Sequence, residues 1–303
     1  MIIATALTLA VLGAVTVSAG ISKTAFLLWA VSLPAFASGV LEDFRHDTSP
    51  WLRYGACLAS AALFVSIWGG VPAFDVGVLD ALLVSAGVGA VVSMFCIAGV
   101  TQAFNIVDGK NGLSSGMGLV ALVAMTYVAH DHQDETVFAL GLVIATAIGG
   151  FWVVNISRGR LFLGDSGAYL VGFLVAALGV ILVSGNTEVS PWLPVLAAAF
   201  PIVETLFTFF RRVVIEQKRF SEPDFLHMHS LIYDRVFCAR IPSDELPGPL
   251  ANSAVSIVLL TISALVAVAS TQLSHSSVAL QMLFLGYVAI YLAAYRWLRL
   301  RTR

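Results

Sequence analysis

The sequence is poor in charged residues. Only 11% of its residues are Asp, Glu, Lys or Arg, whereas 59% are hydrophobic and the mean hydropathy is +0.92. A water-soluble domain needs about a quarter of its residues charged to cover its surface. Most of the surface of this protein must therefore face something other than water, which excludes an ordinary soluble globular fold.

Other absences narrow the class further. The cysteines, Cys57, Cys96 and Cys238, show neither metal-ligand spacing nor a disulfide framework, and we interpret them as packing residues. The formal net charge of −2 provides no basic excess for a nucleic-acid partner. The apolar runs lack the alternation of a membrane β-barrel, and the N-terminal run lacks the basic region of a secretory signal. The sequence therefore predicts an all-α, polytopic membrane protein.

In place of charged residues, the sequence contains long uncharged runs. A helix needs roughly 20 apolar residues to cross the hydrocarbon core of a bilayer. Only helices and closed barrels satisfy their own backbone hydrogen bonds there. We predict a single transmembrane domain, residues 1–303, with about ten spans. The predicted spans are 2–19, 24–41, 54–69, 79–98, 113–130, 137–154, 166–184, 192–210, 251–270 and 276–297.

The loops between these spans alternate in charge. One set is short, and Lys23 alone of the 16 Lys and Arg residues falls in it. The other set is longer and basic. Because positively charged loops stay on the cytoplasmic side, we expect both termini to be cytoplasmic, together with four polar loops. These polar loops are 42–53, 99–112, 155–165 and 211–250.

The first polar loop begins with two adjacent carboxylates, Glu42 and Asp43. Adjacent carboxylates at a membrane boundary are costly unless they meet water, a cation or a metal. A solvated helix end accounts for the pair as well as a functional site does, so the pair alone does not decide between the two.

The second polar loop carries short polar side chains in close succession. Asn105, Asp108 and Asn111 can donate or accept hydrogen bonds, and neighbouring glycines let a ligand approach the backbone. Lys110 could neutralise a phosphate. Asp-Gly and Asn-Gly are also ordinary turn signals, so it is the position between two spans that favours a binding site.

The third polar loop contains one carboxylate that stands out. Asp165 is framed by Gly164 and Gly167 at the mouth of a predicted helix, which makes it a candidate ligand for a hard cation. Capping of that helix is the alternative. Phe162 could stack on a base, although an aromatic residue at a membrane interface also serves as an anchor.

The fourth polar loop carries two histidines, His227 and His229, after the pair Arg211 and Arg212. Residues two apart do not share a helix face, so we expect these histidines to line a loop that contacts phosphate. The same spacing occurs in zinc sites, but no third soft ligand accompanies it. Glu204, inside a predicted span, is a separate candidate that could instead pair with either arginine.

Taken in order, the four loops resemble the polyprenyl-phosphate N-acetylhexosamine-1-phosphate transferases (the glycosyltransferase 4 and MurNAc-pentapeptide translocase superfamily). The resemblance covers about residues 35–235. One of its motifs is Glu42-Asp43, where the family has an Asp pair. The others are Asn105-Ile-Val-Asp108-Gly109-Lys-Asn111-Gly112-Leu113, Phe162-Leu-Gly164-Asp165-Ser-Gly167 and His227-Met-His229. Each motif alone is weak, but four in this order are specific.

The resemblance implies an enzyme that transfers a sugar 1-phosphate from a UDP-sugar to polyprenyl (undecaprenyl) phosphate and releases UMP. It further implies Mg²⁺ as cofactor, with Mn²⁺ left open. The reaction would begin cell-envelope polysaccharide synthesis at the cytoplasmic face of the bacterial plasma (inner) membrane. A homodimer is left open, and no nucleic-acid partner is expected.

The resemblance also implies roles for individual residues. Asp165 would be the Mg²⁺ ligand. Glu42, Asp43 and Asp108 complete the expected catalytic set, the first two positioning or deprotonating the lipid phosphate. The second pKa of a phosphate is about 6, so positioning should matter more than proton removal. Phe162 would stack on the uracil and the histidines would contact phosphate. The expected substrate-binding residues are Asn105, Lys110, Asn111, Arg160, Phe162, His227 and His229.

Several positions depart from the family pattern. Glu42 replaces the first Asp of the pair, Ala168 replaces a common Ser, Asn111 stands where the peptidoglycan members carry Asp, and Ser230 follows the two histidines. We therefore expect an N-acetylhexosamine donor rather than the bulky muramoyl-pentapeptide nucleotide. Only two predicted spans precede Glu42, where the family has three. A chain that starts late and a compact or impaired member are both compatible with this difference.

A transporter is the alternative from another functional class. Transporters place ionisable residues near the membrane midplane, often on helices broken by Gly or Pro. Here the predicted spans are nearly free of charge and the polar residues lie at one edge, which favours an enzyme. A catalytically impaired protein of the same fold is the further alternative.

Overall fold

The computed structural model describes residues 19–159, 161–218, 224–238 and 249–300. Within these ranges the chain is helical and has no strand, which confirms the predicted all-α class. The helices are α1 (Ala19–Arg45), α2 (Pro50–Trp68), α3 (Gly77–Leu83), α4 (Ala86–Ile106), α5 (Leu113–Asp131), α6 (Glu135–Arg158), α7 (Gly164–Gly185), α8 (Trp192–Ala197), α9 (Ala199–Phe210), α10 (Met228–Ile232), α11 (Pro249–Gln272) and α12 (Ser277–Leu300). π-Helical turns continue α9 over Arg211–Ile215 and α10 over Tyr233–Phe237.

Among the described residues, 8 helices are long and apolar enough to cross a membrane. They are α1, α2, α4, α5, α6, α7, α11 and α12, and they confirm a multi-pass membrane protein. The predicted span 2–19 lies outside the described residues except for its last position. The predicted single span 79–98 is divided between two helices, because α3 ends at Leu83 and α4 starts at Ala86.

The predicted span 192–210 is wrong as a continuous helix. The segment is divided into α8 and α9 at Ala198, whose φ and ψ are −108° and 26°. Pro201 has no backbone N–H to donate to the Ala197 carbonyl, so the regular hydrogen-bond ladder cannot run through this point. α8, with 6 residues, is too short to cross a bilayer by itself.

α7 is the central helix of the bundle. It packs against α1 and α4 and also contacts α2 and α5. In its most apolar stretch 89% of the residues are buried, against 11% in α12 at the periphery. Because α7 begins at Gly164, its first turn brings Asp165 to the middle of one end of the bundle.

The two ends of the bundle differ in the segments that form them. The polar end comprises residues 42–53, 105–113, 155–159, 161–165 and 224–233, where α1 ends and α2, α5 and α7 begin. The far end comprises residues 131–135, 186–192 and 271–277, where α5, α7 and α11 end.

Candidate active site

Asp43 holds the N-terminus of α7. Its carboxylate accepts hydrogen bonds from the backbone N–H groups of Asp165 (2.8 Å) and Ser166 (3.2 Å) and from the Ser166 hydroxyl (2.6 Å). The first N–H groups of a helix have no partner inside it and carry the positive end of its dipole, so a carboxylate there is stabilising. The carboxylate that caps this helix is therefore that of Asp43, not that of Asp165.

Gly164 makes this close approach of α1 to α7 feasible. Its φ of +69° lies in the left-handed region, which side-chain-bearing residues rarely adopt. A Cβ atom at this position would lie 2.7 Å from a carboxylate oxygen of Asp43. The glycine that precedes Asp165 in the sequence motif is thus required by the packing at the head of α7.

Arg53, near the start of α2, binds two of the predicted carboxylates. Its Nη1 atom lies 2.6 Å from an oxygen of Asp165 and 3.8 Å from an oxygen of Glu42. Glu42 also accepts a hydrogen bond from the backbone N–H of Thr48 at 2.8 Å. Arg53 was not singled out from the sequence, where it is one of the two arginines of the first polar loop.

Asp108 lies close enough to Asp43 and Asp165 for their negative charges to change its pKa. Burial, and after it the negative charges of Asp165 and Asp43, raise the pKa of the Asp108 carboxyl to about 7. Mg²⁺ is usually held by one or two carboxylates together with substrate phosphates. Asp108 and Asp165 are hard oxygen ligands of that kind, and a cation between them would relieve their repulsion.

The second polar loop is anchored to α6 and α11. The backbone N–H of Gly112 donates to the side-chain oxygen of Asn155, whose amide group donates to the Leu161 carbonyl. The backbone N–H of Asn111 donates to the side-chain oxygen of Asn252 at 2.7 Å. Asn155 therefore joins the second polar loop to the third, a role that the sequence did not indicate.

Lys110 lies over an aromatic ring. Its ammonium group is 3.8 Å from the centroid of Tyr233, in a cation–π contact. Partial burial lowers the pKa of this lysine. The contact brings the second polar loop against the segment that follows the histidines, so Lys110 also helps to join the loops.

His227 and His229 stack with nearly parallel rings, 5.4 Å apart at their centroids and inclined by 5°. His227 is extended and precedes α10, whereas His229 lies inside that helix. Burial lowers the pKa of His229 to about 4, so its imidazole is neutral at pH 7. The Nε2 atom of His229 lies against Gly109, where a Cβ atom would collide with it. This contact joins the second and fourth polar loops.

Glu204 lies behind the histidines and is fully buried. It accepts hydrogen bonds from the backbone N–H of Met228 (3.1 Å) and the Tyr291 hydroxyl (2.7 Å), and it lies 3.0 Å from Nδ1 of His227. Glu204 thus fixes the first histidine and attaches α12 to the fourth polar loop.

Arg211 forms ion pairs elsewhere in this region. It binds Glu216 at 2.9 Å and also binds Asp224, which lies 3.7 Å from Nε2 of His227. From the sequence, either Arg211 or Arg212 could pair with Glu204. In the structure Arg211 pairs with Glu216 and Asp224 instead.

Arg160, Phe162 and Asn105 are the remaining predicted site residues. Arg160 lies outside the described residues. Phe162 is 83% exposed, which is compatible both with stacking on a base and with anchoring at the membrane interface. The Asn105 carbonyl accepts a hydrogen bond from the backbone N–H of Asp108 at 3.1 Å and so shapes the turn that carries this carboxylate.

Comparisons with known proteins bear on this arrangement. The chain is 27% identical over 192 residues to a probable undecaprenyl-phosphate N-acetylglucosaminyl 1-phosphate transferase of Bacillus subtilis (strain 168), a match that covers 63% of this chain and 53% of the relative. It is 29% identical over 206 residues to an undecaprenyl-phosphate alpha-N-acetylglucosaminyl 1-phosphate transferase of Thermotoga maritima, covering 68% and 60%. It is 32% identical over 135 residues to a phospho-N-acetylmuramoyl-pentapeptide-transferase of Rubrobacter xylanophilus, covering 44% and 39%.

The chain spans about half the length of the curated relatives it matches. The model of glycosyl transferase family 4 matches residues 25–183, which is more than half of the chain. This region runs from α1 to α7 and contains Asp43, Asp108 and Asp165 together with Arg53. The motifs, their convergence at the polar end and this match agree, and the chain belongs to glycosyl transferase family 4.

Proposed function

We propose that this protein transfers an N-acetylhexosamine 1-phosphate from a UDP-sugar to a polyprenyl phosphate and releases UMP, on the cytoplasmic face of the bacterial inner membrane. The observation that carries the proposal is the meeting of Asp43, Asp108 and Asp165 at the head of α7. Family membership and the relatives' names, which specify undecaprenyl or decaprenyl phosphate, support the same acceptor.

An apolar cavity of about 520 Å³ supports a lipid substrate. Its lining comes from α4, α7, α8, α9 and the segment between α2 and α3, and includes Val91, Phe95, Val180, Val195 and Leu206. Along α4 the lining extends from Val91 to Ala103, a rise of about 18 Å at 1.5 Å per residue. Ala103 is close in sequence to Asp108, so a prenyl chain in the cavity would direct its phosphate towards the carboxylates.

The proposed reaction is a phosphoryl transfer. An oxygen of the polyprenyl phosphate attacks the phosphorus that bears the sugar, a new P–O–P linkage forms, and the P–O bond to UMP breaks. Because the second pKa of a phosphate is about 6, the attacking group is ionised at neutral pH without a protein base. The Asp43 carboxylate already accepts three hydrogen bonds, so its proposed task is to position the head of α7.

Asp108 and Asp165 are the residues that would hold Mg²⁺. A bound ion would neutralise the negative charge that develops on the departing UMP. The raised pKa of Asp108 supports this assignment, because it reflects a buried carboxyl group that also lies near the negative charges of Asp165 and Asp43. Arg53 binds Asp165 from the side of α2 and orients its carboxylate.

The direct test is release of UMP from UDP-GlcNAc by the purified protein in detergent, with undecaprenyl phosphate and Mg²⁺. We expect release that depends on both the lipid and the metal. Samples without the lipid measure simple hydrolysis of the donor, and samples with EDTA measure the metal requirement. UDP-MurNAc-pentapeptide, assayed in parallel, should be used much more slowly than UDP-GlcNAc.

Two outcomes would contradict the proposal. UMP release that does not need the lipid would indicate a hydrolase. No release from any UDP-sugar by folded protein would favour the impaired member of the family, and vesicle uptake of the same nucleotides would then test the transporter.

A further inference from the structure

The far end of the bundle carries a polar cluster that the proposed reaction does not use. Ligand atoms of Asp131, His132 and His275 all lie within 4.8 Å of one another. Asp131 ends α5, His132 follows it directly, and His275 lies in the turn between α11 and α12. α5 is 19 residues long, so the cluster is about 28 Å from the polar end at 1.5 Å per residue. It is therefore separate from the carboxylates at the head of α7.

We propose that Asp131, His132 and His275 bind a divalent transition-metal ion, with Zn²⁺ as the representative. Two imidazoles and a carboxylate suit zinc, whereas Mg²⁺ and Ca²⁺ prefer oxygen ligands throughout. Ligand atoms about 2.0–2.2 Å from a tetrahedral zinc ion lie roughly 3.4 Å apart. Asp131 and His275 are exposed, so rotation of their side chains can close the observed spacing around an ion, and water can complete the coordination.

The His132 imidazole is the group whose surroundings point most directly to a ligand. Its ring faces that of His275, with centroids 5.1 Å apart and an interplanar angle of 51°. Its Nε2 atom is buried and has no hydrogen-bond partner within the part of the chain that the structure describes. Buried polar atoms are nearly always paired, so this nitrogen calls for an explanation. Coordination of a metal ion by the ring, after a small rotation, would provide one.

The backbone that carries these residues is held by contacts between loops. The backbone N–H of Ser190 donates to the carbonyl of Ser274, next to His275, at 2.8 Å. On the other side the Asp134 carboxylate accepts a hydrogen bond from the Asn186 side chain at 2.9 Å. Ligands on turns that are already fixed lose little freedom when they bind an ion, which favours affinity.

The charge of the far end also favours a cation. Its loops and helix ends carry Asp131, Asp134, Glu135 and Glu188, and Asp75 accepts a hydrogen bond there from the Ser277 hydroxyl. On the same side the sequence has one basic residue, Lys23, which is exposed near the start of α1. Such an excess of negative charge raises the local concentration of cations.

Equilibrium dialysis of the full-length protein against ZnCl₂, with MgCl₂ in excess to occupy carboxylate-only sites, tests the proposal. The protein is purified without a histidine tag. We expect one zinc ion per chain in the wild type and about tenfold or more weaker binding in His132→Gln and in His275→Gln. His130→Ala is the matched control, because His130 lies beside the cluster but packs against Phe138 at 5.1 Å. It should bind zinc as the wild type does.

A second measurement separates loss of the site from loss of the fold. His275 is exposed in a turn, so His275→Gln should unfold at the wild-type temperature when zinc is absent. Added zinc should raise the Tm of the wild type and of His130→Ala but not of His275→Gln. Failure of the wild type to bind zinc, or equal binding by the His132→Gln/His275→Gln double variant, would overturn the assignment. Neither measurement uses substrates, so the outcome is independent of the proposed transferase activity.

Discussion

The carboxylates of the polar end differ in what compensates their charge. Asp43 accepts three hydrogen bonds at the positive end of the α7 dipole. Asp165, in the first turn of that helix, binds Arg53 at 2.6 Å. Asp108 is buried among these negative charges, which raises its pKa to about 7. A divalent cation would therefore stabilise Asp108 more than it would stabilise Asp43.

Asp165→Asn keeps the shape of the side chain but removes the charge that would hold Mg²⁺. Since Asp43 provides the cap of α7, we expect the variant to fold and insert normally while its turnover falls by several orders of magnitude. UMP release at saturating Mg²⁺, with matched expression, measures the effect. Asp47→Asn, which neutralises an exposed carboxylate of the same polar end, is the control. If Asp165→Asn kept more than about a tenth of the activity, a loss under about 1.4 kcal/mol, Asp165 would not be the metal ligand.

The raised pKa of Asp108 predicts a pH-dependent requirement for Mg²⁺. With a pKa of about 7 the carboxyl is mostly protonated below neutral pH, and the proton competes with the cation. The Mg²⁺ concentration that gives half-maximal rate should therefore rise about tenfold for each pH unit below that pKa and level off above it. The maximal rate does not enter the test, because the acceptor phosphate itself titrates near pH 6. The same Mg²⁺ requirement near pH 6 and near pH 8 would contradict the assignment of Asp108.

At the scale of elements, the N-terminus of α7 is the part of the fold on which the site depends. Asp43→Ala removes its cap and should lower stability by about 0.5–2 kcal/mol, which a Tm measurement checks. We expect a larger loss of turnover than this destabilisation explains, because Asp165 moves with the first turn. If Asp43 instead deprotonated the lipid phosphate, raising the pH would restore the activity of the variant. We expect no such recovery.

The apolar cavity offers a test of the lipid site. Gly99 lies on α4 in the cavity lining, and a Cβ atom there would have nothing within 4 Å, so Gly99→Leu should fill the cavity without a clash. We expect the KM for undecaprenyl phosphate to rise several-fold and the KM for UDP-GlcNAc to stay unchanged. Gly150→Leu on α6 is the matched control, because that position is equally open but lies away from the cavity. Equal effects of the two substitutions would remove the cavity from the acceptor site.

The helices were predictable where long uncharged runs end in charged residues or glycine. The predicted spans 113–130 and 166–184 agree with α5 and α7 within two residues at each end. The division of 192–210 was not predicted, because Pro201 stands in a run whose hydropathy is otherwise uniform. That the polar loops lie at one end of the bundle could be predicted, because two spans separate each loop from the next. The contacts between the loops could not be predicted, because Arg53 and Asp43 bind Asp165, which lies 112 and 122 positions away in the chain.

At the scale of the whole molecule, the two ends differ in both charge and chemistry. The polar end brings together carboxylates, amides and histidines from four segments, whereas the far end is acidic and carries the cluster of Asp131, His132 and His275. The donor of the proposed reaction is water-soluble and the acceptor stays in the bilayer, so the site has to lie at a membrane boundary. Which boundary it is depends on the orientation of the bundle.

The distribution of Lys and Arg predicts that Lys110, Arg160 and His229 are cytoplasmic, which would put the polar end in the cytoplasm, and that residues 131–136 are external. Single cysteines in a background without Cys57, Cys96 and Cys238 test this orientation. Asp47 and Glu135 are suitable positions because both are exposed, so a lack of labelling there reflects the side of the membrane and not burial. A membrane-impermeant maleimide should label Glu135→Cys in intact cells and Asp47→Cys only after permeabilisation. The reverse pattern would put the polar end outside, where a cytoplasmic UDP-sugar could not reach it, and the proposed function would fail with the orientation.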